Sequence, residues 1–170
     1  MLNDFPIRTA VTRWKQSARQ CWASYKKPPE RLIAQDFAND ELETGLILLR
    51  MGDFLVDPET ACAAYPIFFY ARESIVDFYL LPLLSANLQD YMRSGLSDRL
   101  AEYIGNGAPK DLVKRFGIRG LCLMRDYFET VGRIRGRELE SEQRAKDLLC
   151  ETLQLGSQRK VHWVESTLYK

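Results

Sequence analysis

The hydrophobic residues near the start of the chain recur at intervals of three and four. They are Ile7, Val11, Trp14, Ala18, Cys21, Trp22 and Tyr25. A helix brings residues at this spacing onto one face, so the segment is predicted to be an amphipathic helix. Pro6 suits its first turn, and Lys26-Lys27-Pro28-Pro29 is expected to end it, because proline disfavours helix at the residue before it.

Capping residues and prolines predict the helices that follow. We expect a short helix over 30–37, and then a helix that begins after the capping pair Asn39-Asp40. Asp57-Pro58-Glu59 is a helix-start signal, and the chain from there to about Arg93 is predicted to be helical and largely buried. Pro66 and Pro82 should kink or divide this segment. The stripe expected to be buried in the helix after Asn39 consists of Leu42, Leu46, Leu49 and Phe54.

The second half of the chain is divided by glycines. Ser97 is predicted to cap a short helix to Ile104, and residues 105–107 (Gly-Asn-Gly) form a turn signal. A further short helix should begin at Pro109 and end at Gly117 as a left-handed cap. A helix is predicted from about Arg119, with an interruption around Gly132 and Gly136. The next helix is predicted over 138–155 and should end at Gly156. The last segment, 159–170, suits either a helix or one short strand.

These elements predict an all-α fold. The architecture that we expect is an irregular bundle of about six to eight helices, forming one domain over residues 1–170. The kinked 57–93 segment should run through its centre, and the first helix should pack its tryptophan face onto that centre. The 46% hydrophobic content and 28% charged content are those of an ordinary globular protein.

The cysteines and the hydropathy of the chain indicate the cellular compartment in which the protein is expected. The cysteines form no CxxC pair and fall among apolar neighbours, so we expect reduced core thiols, a cytoplasmic location and no membrane partner. No secretory signal is expected at the start of the chain. The longest apolar stretch, 67–84, contains charged residues and a proline, which favours a buried core helix over a membrane span. The four cysteines are Cys21, Cys62, Cys122 and Cys150.

Little in the sequence indicates catalysis. His162 is the only histidine, which excludes a histidine-based metal cluster. Glu73 and Asp77 are four residues apart and would share a helix face, where they could bind a divalent cation or act as an acid–base pair. The favoured alternative is that they meet arginine or backbone donors at the edge of the core. No Gly-rich phosphate loop or nucleophile elbow is present. We predict no catalytic residues, no metal and no cofactor, and therefore no enzyme.

The charge is strongly polarised along a chain whose net charge is only +1. Residues 1–32 hold seven basic and two acidic residues, a net charge of +5. Residues 110–137 hold eight basic and three acidic residues, again +5. Residues 33–75 carry two arginines against eight acids, a net charge of −6. Any electrostatic steering of a partner must therefore be local.

The basic segments contain the candidate binding residues. Arg8, Thr12, Lys15 and Arg19 form a stripe along the first helix, a shape suited to following a phosphate backbone. The alternative is a solvated face, or a face that pairs with the acidic segment or with a neighbouring subunit. The predicted nucleic-acid-binding residues are Arg8, Lys15, Arg19, Lys26, Lys27, Lys114, Arg115, Arg119, Arg133, Arg135 and Arg137.

Two further patterns have simpler structural explanations. Residues 111–125 resemble the spacing of a helix-turn-helix around Gly117. The second helix would then present Gly120, Leu121, Cys122 and Met124 to the groove, which favours an ordinary helical corner. The aromatic residues of the central segment could line a ligand pocket, but core packing is favoured. These aromatics are Tyr65, Phe68, Phe69, Tyr70, Phe78 and Tyr79.

Two function classes fit these observations. The leading hypothesis is a non-catalytic helical subunit of a larger assembly that contacts a DNA or RNA backbone without sequence preference, alongside other protein subunits. The alternative is a protein–protein adaptor or regulator with no nucleic-acid partner, in which the same charge polarity orients its partners. Clustering of the two basic segments on one face would favour the first hypothesis, and burial of their charges in internal ion pairs would favour the second.

Overall fold

The computed structural model describes residues 5–37, 42–50, 57, 63–64, 66–88, 96–105 and 112–168, and for residues 5, 42, 50, 69 and 155–168 it describes the backbone alone. This part of the chain is helical and contains no strand, which confirms the all-α prediction. Its helices are α1 (Phe5–Trp22), α2 (Glu30–Asp36), α3 (Leu42–Arg50), α4 (Ile67–Tyr70), α5 (Glu73–Asn87), α6 (Leu96–Gly105), α7 (Leu112–Arg135) and α8 (Glu140–Leu168).

Helix α5 is the centre of the fold, since nearly every side chain from Ile75 onward is buried. The predicted division of the central segment is confirmed at Pro66, which is the N-cap of α4, whereas Pro82 lies inside α5 and does not divide it. The chain is also divided at Ala71 and Arg72, where it leaves helical geometry. Asp36 explains the break, because its carboxylate accepts hydrogen bonds from the backbone N–H of Arg72 (2.7 Å) and from its guanidinium. This contact ties the end of α2 to the start of α5.

Two indole N–H groups fix α1 on the core. The Trp14 Nε1 donates to the Leu123 carbonyl of α7, and the Trp22 Nε1 donates to the Phe78 carbonyl of α5, each at 2.8 Å. The predicted packing of the tryptophan face is confirmed.

The aromatic residues of the central segment serve mainly as core. Phe68, Phe78 and Tyr79 are buried, as the packing interpretation predicts, whereas Tyr70 is exposed. The Phe68 ring packs against Tyr103 of α6, with the ring centroids 5.4 Å apart. Tyr65 and the Phe69 side chain lie outside the described residues.

Gly117 separates a first short section of α7 from its long second section. Its φ of 65° and ψ of 170° are a combination that is essentially restricted to glycine. The predicted glycine break at this residue is confirmed, although the ψ value differs from that of a left-handed cap. The helix then continues through Gly132 and ends at Arg135, after which Gly136 again has a positive φ of 73°.

Two further helix boundaries and one buried position are predicted wrongly. Helix α6 begins at Leu96, so Ser97 lies in its first turn, where its hydroxyl accepts a hydrogen bond from Arg135. Helix α8 continues through Gly156 to Leu168, which also rules out a strand over that part of the chain. In α3, Leu46 is 42% exposed, because Thr44 and Leu48 form the buried side and Gly45 packs closely on Phe37. The predictions at Asn39-Asp40, Phe54, Asp57-Pro58-Glu59, residues 106–107 and Pro109 lie outside the described residues, apart from Asp57 itself.

The positive φ of Gly117 gives a test of the break in α7. Gly117→Ala should lower the free energy of unfolding by about 1–3 kcal/mol, because an alanine is strained in this conformation. An added Cβ meets no atom within 4 Å, so the cost is conformational and not steric. Urea denaturation followed by circular dichroism measures it.

Gly105→Ala is the matched control. Gly105 ends α6 without a positive φ, and an added Cβ there also meets nothing within 4 Å. We expect Gly105→Ala to be neutral or stabilising by up to about 1 kcal/mol. Equal losses at the two sites would contradict the geometry assigned to Gly117.

Replacing each of two buried tyrosines by phenylalanine should have different effects on the free energy of unfolding. The Tyr127 hydroxyl donates to Asn87 Oδ1, whereas the Tyr79 hydroxyl is buried with no hydrogen-bond partner among the described residues. Tyr127→Phe should cost about 1 kcal/mol, the net value of a typical hydrogen bond. Tyr79→Phe should be neutral or stabilising. Thermal unfolding measures both changes, and a larger loss from Tyr79→Phe would show that its hydroxyl does have a partner.

Candidate nucleic-acid interface

The two basic segments of the chain are neighbours in the fold. Helix α1 and the segment after it run antiparallel to α7, and contacts join them along their length. Arg119 donates to Gln20 Oε1 at 2.7 Å, and the Tyr25 hydroxyl donates to the Phe116 carbonyl at 3.2 Å. Further along, Trp14 meets Leu123, as described above. The antiparallel packing therefore places the two segments with net charges of +5 side by side.

The outward face of α1 is cationic. Arg8, Arg13 and Arg19 are exposed, and no acidic residue occurs anywhere in the helix. Between these arginines the exposed residues Thr12 and Gln16 are polar and uncharged. The Thr12 hydroxyl donates to the carbonyl of Arg8 at 2.9 Å, so it is already engaged. No carboxylate of α1 itself opposes an approaching anion.

Lys15 is less exposed to solvent than its place in the predicted basic stripe of α1 implies. Its side chain is only partly exposed, and burial lowers the pKa of its amino group. Arg8, Lys15 and Trp22 are spaced by seven residues, which almost align on a helix. Because Trp22 contacts α5, this alignment places Lys15 on the flank of α1 that faces α5 and partly shields it.

A second group of cations lies where α1 ends and α7 begins. We call Lys26, Lys27, Lys114 and Arg119 the basic end. All four are exposed, and the Tyr25–Phe116 hydrogen bond holds the segment that follows α1 against the first turns of α7. Among the described residues, their only ion pair joins Lys27 to Glu30 at 4.0 Å, an exposed contact of little strength.

Arg115 does not face a partner, because it forms an ion pair inside the fold. Its side chain is 8% exposed, and its Nε donates to Asp77 Oδ1 at 2.9 Å. Its Nη1 also lies 3.3 Å from Glu73 Oε1 and donates to the Tyr103 hydroxyl at 3.1 Å. Burial opposes the charge, but the hydrogen bonds to Asp77 and Tyr103 outweigh it and raise the pKa of the guanidinium. We therefore leave Arg115 out of the candidate surface.

Arg135 is also occupied internally. Its Nη1 and Nη2 donate to the two carboxylate oxygens of Glu142 at 2.9 and 3.2 Å, and Nη2 reaches the Ser97 hydroxyl at 3.2 Å. Glu142 is fully buried and accepts a further hydrogen bond from the Leu139 N–H at 3.1 Å. This pair joins α6, α7 and α8 and uses three of the five N–H donors of Arg135 inside the fold.

The remaining two predicted residues lie at the opposite end of α7. Arg133 and Arg137 are exposed. Arg133 lines a groove of about 290 Å³ between α1 and α7, together with Arg13, Asp126 and Glu129. Its Nη2 lies 3.9 Å from Glu129 Oε2. The two carboxylates make this end of the α1–α7 surface mixed in charge.

The structure thus separates the predicted residues into two classes. Eight of the eleven are exposed and Lys15 is partly exposed, whereas Arg115 and Arg135 are engaged in internal pairs. Arg13 is an exposed cation on the same helix that the candidate set omits. The absence of acids in α1 is the sequence signal that could have included it.

The pair Glu73 and Asp77 takes the structural role favoured from the sequence. Both carboxylates contact Arg115, which confirms that they meet an arginine at the edge of the core. No group of metal-binding side chains occurs among the described residues. The His162 side chain lies outside them.

The helix-turn-helix pattern around Gly117 does not form a groove-reading helix. Leu121 and Met124 are buried in the core and Gly120 is buried too, so the residues that would read bases point inward. The helical-corner interpretation is therefore confirmed. The cysteines whose side chains are described, Cys21, Cys122 and Cys150, are free thiols.

The described helices include none that is both long enough and apolar enough to cross a membrane.

The chain matches no protein-family model, no curated protein and no solved structure. Its function has to be inferred from geometry and charge.

The buried Arg135–Glu142 pair can be tested against an exposed neighbour. Glu142→Gln should lower the free energy of unfolding by about 3–5 kcal/mol, because it leaves a mostly buried guanidinium without its counter-charge. Glu140, two residues earlier, is 90% exposed and pairs only with Arg144 on the surface. Glu140→Gln should therefore change stability by less than about 1 kcal/mol. Similar losses in chemical denaturation of the two variants would contradict the internal role of Arg135.

Proposed function

We propose that the chain is a non-catalytic helical subunit of a larger assembly and that it contacts a nucleic-acid backbone without reading its sequence. One observation carries this proposal. Antiparallel packing brings the two basic segments together, and their exposed cations face outward from α1 and from the basic end. Cytoplasmic location, which the free thiols of the described cysteines suit, is part of the same proposal.

The chemistry of these side chains favours phosphate as the ligand. Arg8, Arg19 and Arg119 present guanidinium groups, which can bind phosphate through two parallel hydrogen bonds. Neutralising phosphates releases condensed counterions, and this gain does not depend on sequence. The two basic segments together carry +10 in a chain whose net charge is +1, so the remaining residues carry −9 and any attraction of phosphate must come from this surface alone.

A protein–protein adaptor is the second candidate, and the mixed charge around the cations favours it. Glu30 and Glu73 are exposed beside the basic end, and Asp126 and Glu129 line the groove with Arg13. A surface that alternates in sign suits a protein partner with complementary charges. In that case the basic residues would fix the orientation of the partner, and nucleic acid would not take part.

Salt dependence separates the two candidates. The triple variant Arg19→Gln, Lys114→Gln, Arg119→Gln removes exposed cations from both segments. If each contacts one phosphate, the slope of log affinity against log salt on duplex DNA should flatten by about two to three units, at about 0.9 per lost contact. Fluorescence anisotropy with labelled duplexes of two unrelated sequences measures it, and the two duplexes should give the same slope.

The control is Arg99→Gln, Arg144→Gln, which removes exposed arginines of α6 and α8 and should leave the slope unchanged. Both variants should unfold like the unmodified protein, because exposed charges contribute within about 0.5 kcal/mol. The nucleic-acid proposal fails if the unmodified protein binds no nucleic acid at low salt. A triple variant that loses a protein partner while binding of nucleic acid keeps its slope would support the adaptor.

A further inference from the structure

The exposed cations on α1 and on the neighbouring α7 form two rows, one along each flank of α1. Arg8 lies seven residues before Lys15, and Arg19 lies four after it, so these residues follow the flank that faces α5. Arg13 and Gln20 are also seven residues apart, and they follow the flank that faces α7. Arg119 extends this second row, because its guanidinium donates to Gln20.

Among the side chains that the structure describes, the surface between and beside the rows offers no aromatic platform. Trp14, Tyr127 and Phe128 are buried, and Trp22 is half-buried with its indole N–H bound to Phe78. Proteins that bind single strands combine a basic groove with exposed aromatic rings on which bases stack. The described aromatic rings of α1 and α7 instead pack on the core, so this face suits a partner whose bases are already stacked.

The placement of the rows on opposite flanks of α1 suits two backbones better than one. A helix with its side chains is about 10–12 Å across, close to the roughly 12 Å width of the major groove of B-form DNA. Arginines on opposite flanks would then face the phosphates of opposite strands. The major groove of A-form RNA is deep and narrow and does not admit a helix in this way.

We infer, on the basis of the proposed function, that α1 binds double-stranded B-form DNA with one row of cations on each strand. Row one consists of Arg8 and Arg19, and row two consists of Arg13 and Arg119. Thr12 and Gln16 are the exposed polar residues of α1 between the rows, and the Thr12 hydroxyl already donates to the Arg8 carbonyl. Gln16 is therefore left to contact base edges, and we expect α1 to read little of the DNA sequence. Asp126 and Glu129 lie beside Arg13, which makes row two strongest at its Arg119 end.

The test compares three probes of one length and sequence: a DNA duplex, the single DNA strand and the RNA duplex. We expect the DNA duplex to bind at least tenfold more tightly than either of the others at the same salt concentration. The variants Arg8→Gln, Arg19→Gln and Arg13→Gln, Arg119→Gln should each flatten the salt slope on the DNA duplex by about two units, at about 0.9 per contact.

The charge-matched control is again Arg99→Gln, Arg144→Gln, which should not change the slope, and circular dichroism checks that each variant is folded. Single-stranded DNA or duplex RNA bound as tightly as duplex DNA would overturn the inference and leave the proposed function standing. The inference would also be overturned if only one of the two double variants changed the salt slope, because contact with one DNA strand would then explain the binding. If none of the probes binds, the proposed function fails as well.

Discussion

The position of α1 depends on two hydrogen bonds from its indoles, and the candidate surface depends on that position. Trp14 and Trp22 donate to carbonyl oxygens of different helices, so α1 cannot rotate without leaving one of these indole N–H groups unpaired. The same two bonds hold α5 and α7 at fixed places on either side of α1. With its apolar face committed to these two helices, α1 must direct its arginines into solvent.

The fold uses arginine in two different ways. Arg115 and Arg135 satisfy carboxylates in or near the core, where an ion pair mainly enforces a particular arrangement of helices and adds little net stability. Arg8, Arg13 and Arg19 have no such partners along α1, which contains no acids. Local sequence does not distinguish the two uses, since Lys114 and Arg115 are adjacent and yet one is exposed and the other is 8% exposed.

Much of the fold follows from periodicity and helix-boundary residues. The face of α1, the extent of α2 and the glycine break at Gly117 are all predictable, because each depends on residues close in sequence. What could not be predicted depends on contacts between distant residues. Asp36 adds a break in the central segment at Arg72, and the packing of Gly45 on Phe37 turns α3 so that Leu46 faces solvent. The same holds for the candidate site. Its exposed cations can be predicted from composition. The internal pairing of Arg115 with Asp77 and of Arg135 with Glu142 cannot, because each carboxylate lies on another helix.

Lysine footprinting is the most direct measurement of whether this basic surface meets nucleic acid. The protein would be acetylated with and without a DNA duplex at low salt, and the modified residues would be quantified by mass spectrometry. Lys26, Lys27 and Lys114 should lose reactivity in the complex, while Lys146 of α8, which pairs with Glu138, should not change. Formation of the complex with undiminished reactivity at Lys26, Lys27 and Lys114 would show that the duplex binds elsewhere and would contradict the assignment of the basic segments as the interface.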